Sequence, residues 1–244
     1  MDRLLEATAR AERNHFWFRG FRRFIEPLVA DAALGVRPDI LDCGCGTGHN
    51  LRMLRKYGRA YGIDLTWAGL QYARAQGERQ VARASAAQLP FPDARFDLVT
   101  SFDVIYSLPD EVERDAIAEM FRVLKPGGRL ILNVAALESL RGNHSVLSGE
   151  VRRYSKRDLR RRLEAAGFRV THSTYTNLSI LPLVAAVRLT QRLGGDHVES
   201  RDEITIPPAP VNAALSALLA IEAAALRVVN MPIGSSLLAV AEKP

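Results

Sequence analysis

The sequence predicts an α/β protein built on a parallel sheet with crossover helices, and three observations carry that reading. Short apolar runs alternate with helical patterns from about Pro38 to Val134, as strands joined by crossover helices require. The runs Phe96-Asp97-Leu98-Val99-Thr100-Ser101 and Arg129-Leu130-Ile131-Leu132-Asn133-Val134 have the near-continuous apolar character of buried central strands. No repeat, low-complexity tract or Ser/Gly-rich linker interrupts the chain, and 244 residues with 48% hydrophobic side chains can bury one substantial core.

Taken in order, residues 1–36 read as an amino-terminal helical and aromatic cover, in which Asn14-His15-Phe16-Trp17-Phe18-Arg19-Gly20 packs three aromatics beside a His and an Arg. The core, 37–135, opens with Ile40-Leu41-Asp42-Cys43-Gly44-Cys45-Gly46-Thr47-Gly48, a strand that runs into a glycine-rich turn and then a helix. Strands are expected near 39–43, 59–64, 80–84, 96–101 and 128–134, with Lys125-Pro126-Gly127-Gly128 as the turn into the fifth. In 136–177 a loop leads to a helix, 156–166, which Ser155 and Asp158 cap and Gly167 stops, and a sixth strand follows near 168–176. Residues 178–232 form an insertion of two apolar helical patterns, 178–192 and 211–229, joined by the Pro-rich stretch 194–210. The closing segment, 233–244, holds a seventh strand near 236–241.

A glycine turn of this kind lets backbone approach a ligand closely. Asp64 follows Gly44 by about 20 residues, at the end of the next apolar run, where an acid accepts ribose hydroxyls. The pair reads as a nucleoside site. One residue separates Gly46 from Gly48 where a dinucleotide fingerprint has two, so a pyrophosphate ligand is disfavoured.

Composition narrows the setting. A net charge of +6 with mixed signs along the chain argues against a dedicated polyanion-binding surface, so no nucleic-acid partner is expected. Cys43 and Cys45, one residue apart in a tight turn, suit packing rather than a disulfide or a zinc site, and such sparse usage fits a reducing compartment. Met1 to Glu6 lacks a long apolar core, so a cytoplasmic location is expected, and the apolar runs 178–187 and 213–221 are too short to span a bilayer. No spacing of a metal cluster or nucleophilic triad stands out, and no metal is expected.

Asp42-Cys43-Gly44-Cys45-Gly46-Thr47-Gly48, Gly62-Ile63-Asp64, Leu89-Pro90-Phe91, Phe96-Asp97-Leu98-Val99 and Val123-Leu124-Lys125-Pro126-Gly127-Gly128 together resemble the class I S-adenosylmethionine-dependent methyltransferases, closest to the type-11-like small-molecule group. The resemblance covers about residues 38–135 strongly. It implies a Rossmann-like three-layer α/β sandwich with a seven-stranded, mostly parallel sheet whose last strand is antiparallel. It also implies S-adenosyl-L-methionine as methyl donor, and methylation of a small-molecule or lipid-linked acceptor at oxygen or nitrogen by in-line displacement.

By the same resemblance Asp42 meets the cofactor's amino group, Gly44, Cys45 and Gly46 form the turn against it, Asp64 takes the ribose hydroxyls and Leu65 packs on the adenine. The acid that relatives often place before Leu-Pro-Phe is replaced here by Ser85-Ala86, so Ser85 or a backbone carbonyl receives the adenine amino group. Ser101 and Phe102 line the cofactor near the reacting methyl; Asp103 and Tyr106 continue toward the substrate, Tyr106 either as a contact or as a packed aromatic. His15 and Trp17 belong to a segment that folds over the cofactor at the substrate entrance, and Arg19 is its candidate for the cofactor carboxylate. His144 is a candidate general base, Arg153 and Tyr154 are candidate holders of an acidic acceptor, and Arg157, Arg160, Arg161 and Arg162 read as one solvated helix face.

Two other functions stay open on the sequence. One is a catalytically silent cofactor-binding partner protein; the other is an RNA methyltransferase, which the absence of an Asn/Asp-Pro-Pro-aromatic tetrapeptide after the fourth strand disfavours. The insertion is where a helical lid, a homodimer surface or a peripheral membrane contact would be built.

Overall fold

The computed structural model describes residues 2–33, 35–141, 145, 149–193 and 204–244. Two helices lead, α1 (Asp2–Ala11) and α2 (Phe16–Ala32). The alternating series follows: β1 (Asp39–Cys43), α3 (His49–Leu54), β2 (Arg59–Asp64), α4 (Trp67–Ala75), β3 (Val81–Arg83), β4 (Phe96–Phe102), α5 (Asp110–Val123) and β5 (Leu124–Ala135). After it come α6 (Lys156–Ala165), β6 (Arg169–Thr176), the insertion helices α7 (Leu181–Leu193) and α8 (Ala209–Ala225), and β7 (Ser236–Glu242).

The strands pair in the order β3-β2-β1-β4-β5-β7-β6. Every neighbouring pair is parallel except those of β7, which is antiparallel to both β5 and β6. This is the seven-stranded, mostly parallel sheet that the resemblance implies. Strand order reverses between β1 and β4, so the crevice outside their carboxyl ends is where such a sheet takes a ligand.

Pleating sends alternate side chains to opposite faces and makes three layers. Ile40, Leu98, Ile131 and Leu238 meet Phe24 and Ile25 of α2, Leu51 of α3 and Leu219 of α8 on one face. Leu41, Val99, Leu130 and Leu237 meet Ile117 and Met120 of α5 and Leu159 of α6 on the other. All of these but Phe24 are at most 2% exposed, and each fully buried aliphatic stabilises by about 1.5 to 3 kcal/mol over its exposed state.

Differences from the sequence expectation are local. Residues 125–128 are not a separate turn: β5 starts at Leu124, and the Gly127 N–H donates to the Lys243 carbonyl, so the C-terminal chain pairs with the stretch as it would with a strand. The Lys243 ammonium donates to the Phe121, Arg122 and Leu124 carbonyls, closing the end of α5. Helix α8 starts two residues earlier than its apolar pattern because Pro208 caps it and Pro210 fits its first turn. The linking residues 194–203 lie outside the described residues.

The insertion and the amino-terminal cover are joined. Gly20 lets α2 approach α8 so closely that a Cβ there would sit 2.3 Å from a Leu219 methyl. Asn212 of α8 accepts from the Phe16 N–H at 2.8 Å and donates to the Asn14 carbonyl at 2.8 Å. The segment with the three aromatics is thereby pinned above the carboxyl ends of the strands.

Candidate functional site

The glycine turn links β1 to α3, and Gly44, Gly46 and Gly48 all have positive φ, at 85°, 49° and 80°. Its amides are used internally. Gly44 and Cys45 donate to the Ile63 carbonyl, Gly48 to the Cys45 carbonyl, and Gly46 to the Asp64 carboxylate at 2.8 Å. A phosphate-cradling loop aims such N–H groups at its ligand, so this turn offers close approach rather than anion binding. A Cβ on Gly44 would lie 2.2 Å from Val104 Cγ2, whereas one on Gly46 would meet nothing within 4 Å. Gly44 is therefore small for the protein's own packing, and Gly46 leaves open space. Cys45 is buried against Gly62 and contributes its backbone, not its thiol.

Two carboxylates stand beside that space. Asp42 is 1% exposed, its Oδ1 accepts from the Thr100 hydroxyl at 2.8 Å, and its Oδ2 has no partner. Burial pushes its carboxyl up to about 7, the Thr100 bond pulls it down, and the charge of Asp64 raises it further. An orphaned buried carboxylate oxygen is costly unless something fills it, and a ligand cation is the natural partner. Asp64 accepts from Gly46 with one oxygen and from the Thr66 N–H and hydroxyl with the other. A carboxylate has about four acceptor positions, so one remains for a ribose hydroxyl and a second opens if Thr66 turns away.

Four unpartnered polar atoms gather at one end of the sheet. Asp42 Oδ2 on β1, Ser101 Oγ on β4, Asn133 Oδ1 on β5 and Ser235 Oγ just before β7 all lie along the same rim. Ser101 is fully buried, and Phe102 beside it packs edge-on to Phe21 of α2, ring centroids 5.2 Å apart. Leu65, next to Asp64, is exposed, as an aromatic-ligand platform must be before its ligand arrives. Ser85 accepts from the Ala87 N–H with its hydroxyl and from the Gln88 N–H with its carbonyl, so its acceptors serve the turn that holds Ala86.

Beyond the rim lies a cavity of about 430 Å³, walled by His15, Trp17 and Phe18 of the cover, by Asp103 and Tyr106 after β4, and by Arg153. Asp103 adopts φ 61°, an uncommon backbone state for a side chain other than glycine. Its N–H donates to the Asn133 carbonyl and the Asn133 amide donates back to its carboxylate at 2.8 Å, so β5 fixes its position. Although the residue keeps accessible surface toward the cavity, the protein mass around it pushes its carboxyl up to about 7; the Asn133 bond opposes this and Glu150 adds to it. His15 accepts from the Trp17 N–H at 3.1 Å and caps α2, while burial lowers its pKa and the Thr205 backbone bond raises it.

Several expected site residues take other places. Arg153 lines the cavity, but its guanidinium is committed to the Glu150 carboxylate, the Ala136 carbonyl and the Ser145 hydroxyl, so it holds the wall rather than an acidic acceptor. Tyr154 is buried in the core and donates to Glu113 at 2.7 Å, away from the cavity. Arg162 is not merely solvated: it joins Arg152 on the same buried Glu113 carboxylate. Arg19, the candidate for the cofactor carboxylate, is exposed on α2, near enough to Arg22 for its charge to be felt there. His144 lies outside the described residues.

Sequence reading missed the contact between cover and turn. The Thr47 hydroxyl donates to Glu12 at 2.6 Å, and Arg22 donates to the Glu12 carbonyl at 2.8 Å. Arg13, Arg22 and Arg52 surround His49, whose pKa falls to about 4 through burial and these charges. Nothing local marks Glu12, because its partner is 35 residues away. Among the described residues, no group of three His, Cys, Asp or Glu side chains is arranged to hold a metal.

Comparison with known proteins bears on this arrangement. A family model described as methyltransferase domain matches residues 41–132, which contain the turn, Asp64 and Asp103. A Mycolicibacterium smegmatis protein named a probable S-adenosylmethionine-dependent methyltransferase is 29% identical over 204 residues, 82% of this chain and 76% of that protein. The demethylmenaquinone methyltransferase of Lactiplantibacillus plantarum is 36% identical over 121 residues, 45% of this chain, and the match spans half of that protein's length. A chain from a solved complex that contains the Haloferax volcanii Trm112 methyltransferase activator superposes with a TM-score of 0.64, covering 98% of this chain and 97% of that one. At 20% identity it speaks to fold alone.

Proposed function

The chain belongs to the class I S-adenosylmethionine-dependent methyltransferases, its methyltransferase domain at residues 41–132, and from that premise we propose that it methylates an oxygen or nitrogen of a small acceptor held in the Trp17–Asp103–Tyr106 cavity. The observation that carries this is the unpartnered Oδ2 of buried Asp42 at the strand end where Ser101, Asn133 and Ser235 also hold unpartnered polar atoms. The residues fit the cofactor: Asp42 would take its ammonium, Asp64 its ribose, Leu65 its adenine, and the space before Gly46 its close approach. The basic cluster of Arg13, Arg22 and Arg52 around His49, with Arg19 beside Arg22, suits its carboxylate. When bound, S-adenosylmethionine supplies a methyl group on a positively charged sulfur, which an acceptor lone pair displaces in line.

The chain's own part is alignment, exclusion of water and custody of one proton. Trp17 and Phe18 close the cavity from above, and orientation of this kind supplies on the order of 7 to 11 kcal/mol. Asp103, fixed by Asn133 and open to the cavity, with its carboxyl raised by the protein around it, takes the proton that an acceptor hydroxyl or amine loses. Tyr106 shares that wall and orients the acceptor. This reading keeps the division of the chain into cover, core, acceptor loop, insertion and final strand as one methyltransferase unit, acting in the cytoplasm without a metal.

Turnover tests it. Release of S-adenosylhomocysteine should depend on an added phenol, catechol or amine, and Asp103→Asn should lower that rate about 100-fold while leaving S-adenosylhomocysteine affinity unchanged. Failure of the chain to bind S-adenosylhomocysteine in calorimetry would remove the proposal.

A further inference from the structure

The charges that wall the acceptor cavity do not balance. Glu150 is matched there by Arg153, whose guanidinium donates to both of its carboxylate oxygens, at 2.5 and 2.9 Å. Asp103 lines the same space, but the group that holds its carboxylate is the neutral Asn133 amide at 2.8 Å, and no cation pairs with it among the described residues. His15 adds no charge, because burial holds it neutral and the Trp17 N–H and the Thr205 backbone engage it. Among the described residues of the wall, the unmatched charge is therefore negative. Ser235, buried at the cavity edge just before β7, adds an Oγ without a partner, which can accept as Asp103 does. Trp17, Phe18 and Tyr106 supply aromatic surface around both.

Methyl transfer places different charges on different acceptors, and this wall discriminates among them. A carboxylate acceptor would bring a second negative charge beside Asp103. A hydroxyl attacks with negative charge growing on oxygen, which a cation must hold, and Arg153 is already spent on Glu150, the Ala136 carbonyl and the Ser145 hydroxyl. An amine arrives as an ammonium ion and leaves as a methylated one, so a carboxylate among aromatic faces favours it at both ends of the reaction. We propose that the acceptor is a primary or secondary amine, taken up as its ammonium ion against Asp103 and Ser235. The inference rests on the methyltransferase reading and narrows it to nitrogen. Asp103 takes one N–H proton, which frees the nitrogen lone pair. That pair forms the new N–C bond to the methyl as the C–S bond breaks, and sulfur keeps the bonding electrons. The products are S-adenosylhomocysteine and the methylated ammonium, and the proton on Asp103 passes to solvent. The protein around Asp103 raises its carboxyl, which narrows the gap to the ammonium it deprotonates.

Benzylamine, benzyl alcohol and benzoate share a shape and differ in charge, as do 2-phenylethylamine, 2-phenylethanol and phenylacetate. Titrated into full-length chain saturated with S-adenosylhomocysteine, the amine of each series should bind about tenfold or more tightly than its alcohol, and the carboxylate most weakly. With S-adenosylmethionine, the amines should gain a methyl on nitrogen by mass spectrometry. Asp103→Asn keeps a residue type that tolerates the φ of 61° and should bind S-adenosylhomocysteine as wild type does, yet hold amine and alcohol within about threefold of each other. The proposal is overturned if a chain that binds S-adenosylhomocysteine takes no amine, if the alcohols or carboxylates bind or react as well as the amines, or if Asp103→Asn keeps the preference. Failure to bind S-adenosylhomocysteine would instead overturn the methyltransferase reading, and this proposal with it.

Discussion

Strand β1 carries an aspartate toward either end, β4 carries one near its start and is followed by another, and the two ends of the sheet treat them in opposite ways. At the amino-terminal edge Asp39 accepts from Arg59 twice, at 2.7 Å, and from Arg95, while Asp97 accepts from the Asp39 N–H and from Lys125. Burial alone would raise Asp39, but its bonds to Arg95 and Arg59 outweigh it and hold the carboxyl below the usual range. At the carboxyl edge Asp42 has one hydroxyl donor and Asp103 one amide, no cation pairs with either among the described residues, and both carboxyls are pushed up, Asp42 by its burial and Asp103, which is exposed at the cavity, by the protein around it. Charge is cancelled within the fold where the sheet is sealed and left uncancelled where it opens. The first arrangement is structural; the second is what a cationic ligand and a proton transfer need.

The glycine turn breaks the same way, and its variants should show the largest effects. Gly44→Ala puts a methyl into Val104 and strains a φ of 85°, so it should cost about 3 kcal/mol of stability in thermal or denaturant unfolding. Gly46→Ala meets open space and should cost about 1 kcal/mol of stability, yet lose S-adenosylhomocysteine affinity by about tenfold or more, because the methyl occupies the approach. Equal affinity losses with equal stability losses would erase the distinction between packing glycine and ligand glycine.

Asp64→Ala should weaken S-adenosylhomocysteine binding by about 30-fold, since it removes the ribose acceptor and also releases the Gly46 and Thr66 amides. Calorimetry reads this directly, and unchanged affinity would take Asp64 out of the site. At the sealed edge the sign of the effect reverses between readouts. Asp39→Asn should leave affinity unchanged and cost about 2 kcal/mol of stability, a figure reduced for the partial exposure of Arg95 and Arg59. Because the folded pKa of Asp39 is depressed, that difference is present above the ordinary value of 3.8 and is lost as pH falls below it.

Much of this was legible in the chain. Strands β1 and β2 have the bounds their apolar runs give, because both are flanked on two sides and their periodicity is not disturbed. The edge strand β3 is shorter than its run, pairing with β2 alone. Asp42, Gly46, Asp64 and Leu65 stand in motifs at the ends of two adjacent strands, and Gly46 and Asp64 meet through a hydrogen bond across them. Arg153 and Tyr154 could not, since whether a guanidinium faces a cavity or a carbonyl depends on Glu150, Ala136 and Ser145. Asp103 was visible as a position but its setting was not, because Asn133, which holds its carboxylate, is a neighbour in space on another strand.

The uncancelled charge of Asp42 is most directly tested by titrating S-adenosylhomocysteine into wild type and Asp42→Asn at pH 6 and pH 8. The ligand's ammonium favours the ionised carboxylate, so binding expels a proton wherever Asp42 is protonated, and affinity rises with pH through about 7. Wild type should bind about tenfold more tightly at pH 8 than at pH 6, and Asp42→Asn should bind more weakly with little dependence on pH. A wild-type affinity that is flat across this range, or a variant that keeps the full pH dependence, would contradict the account.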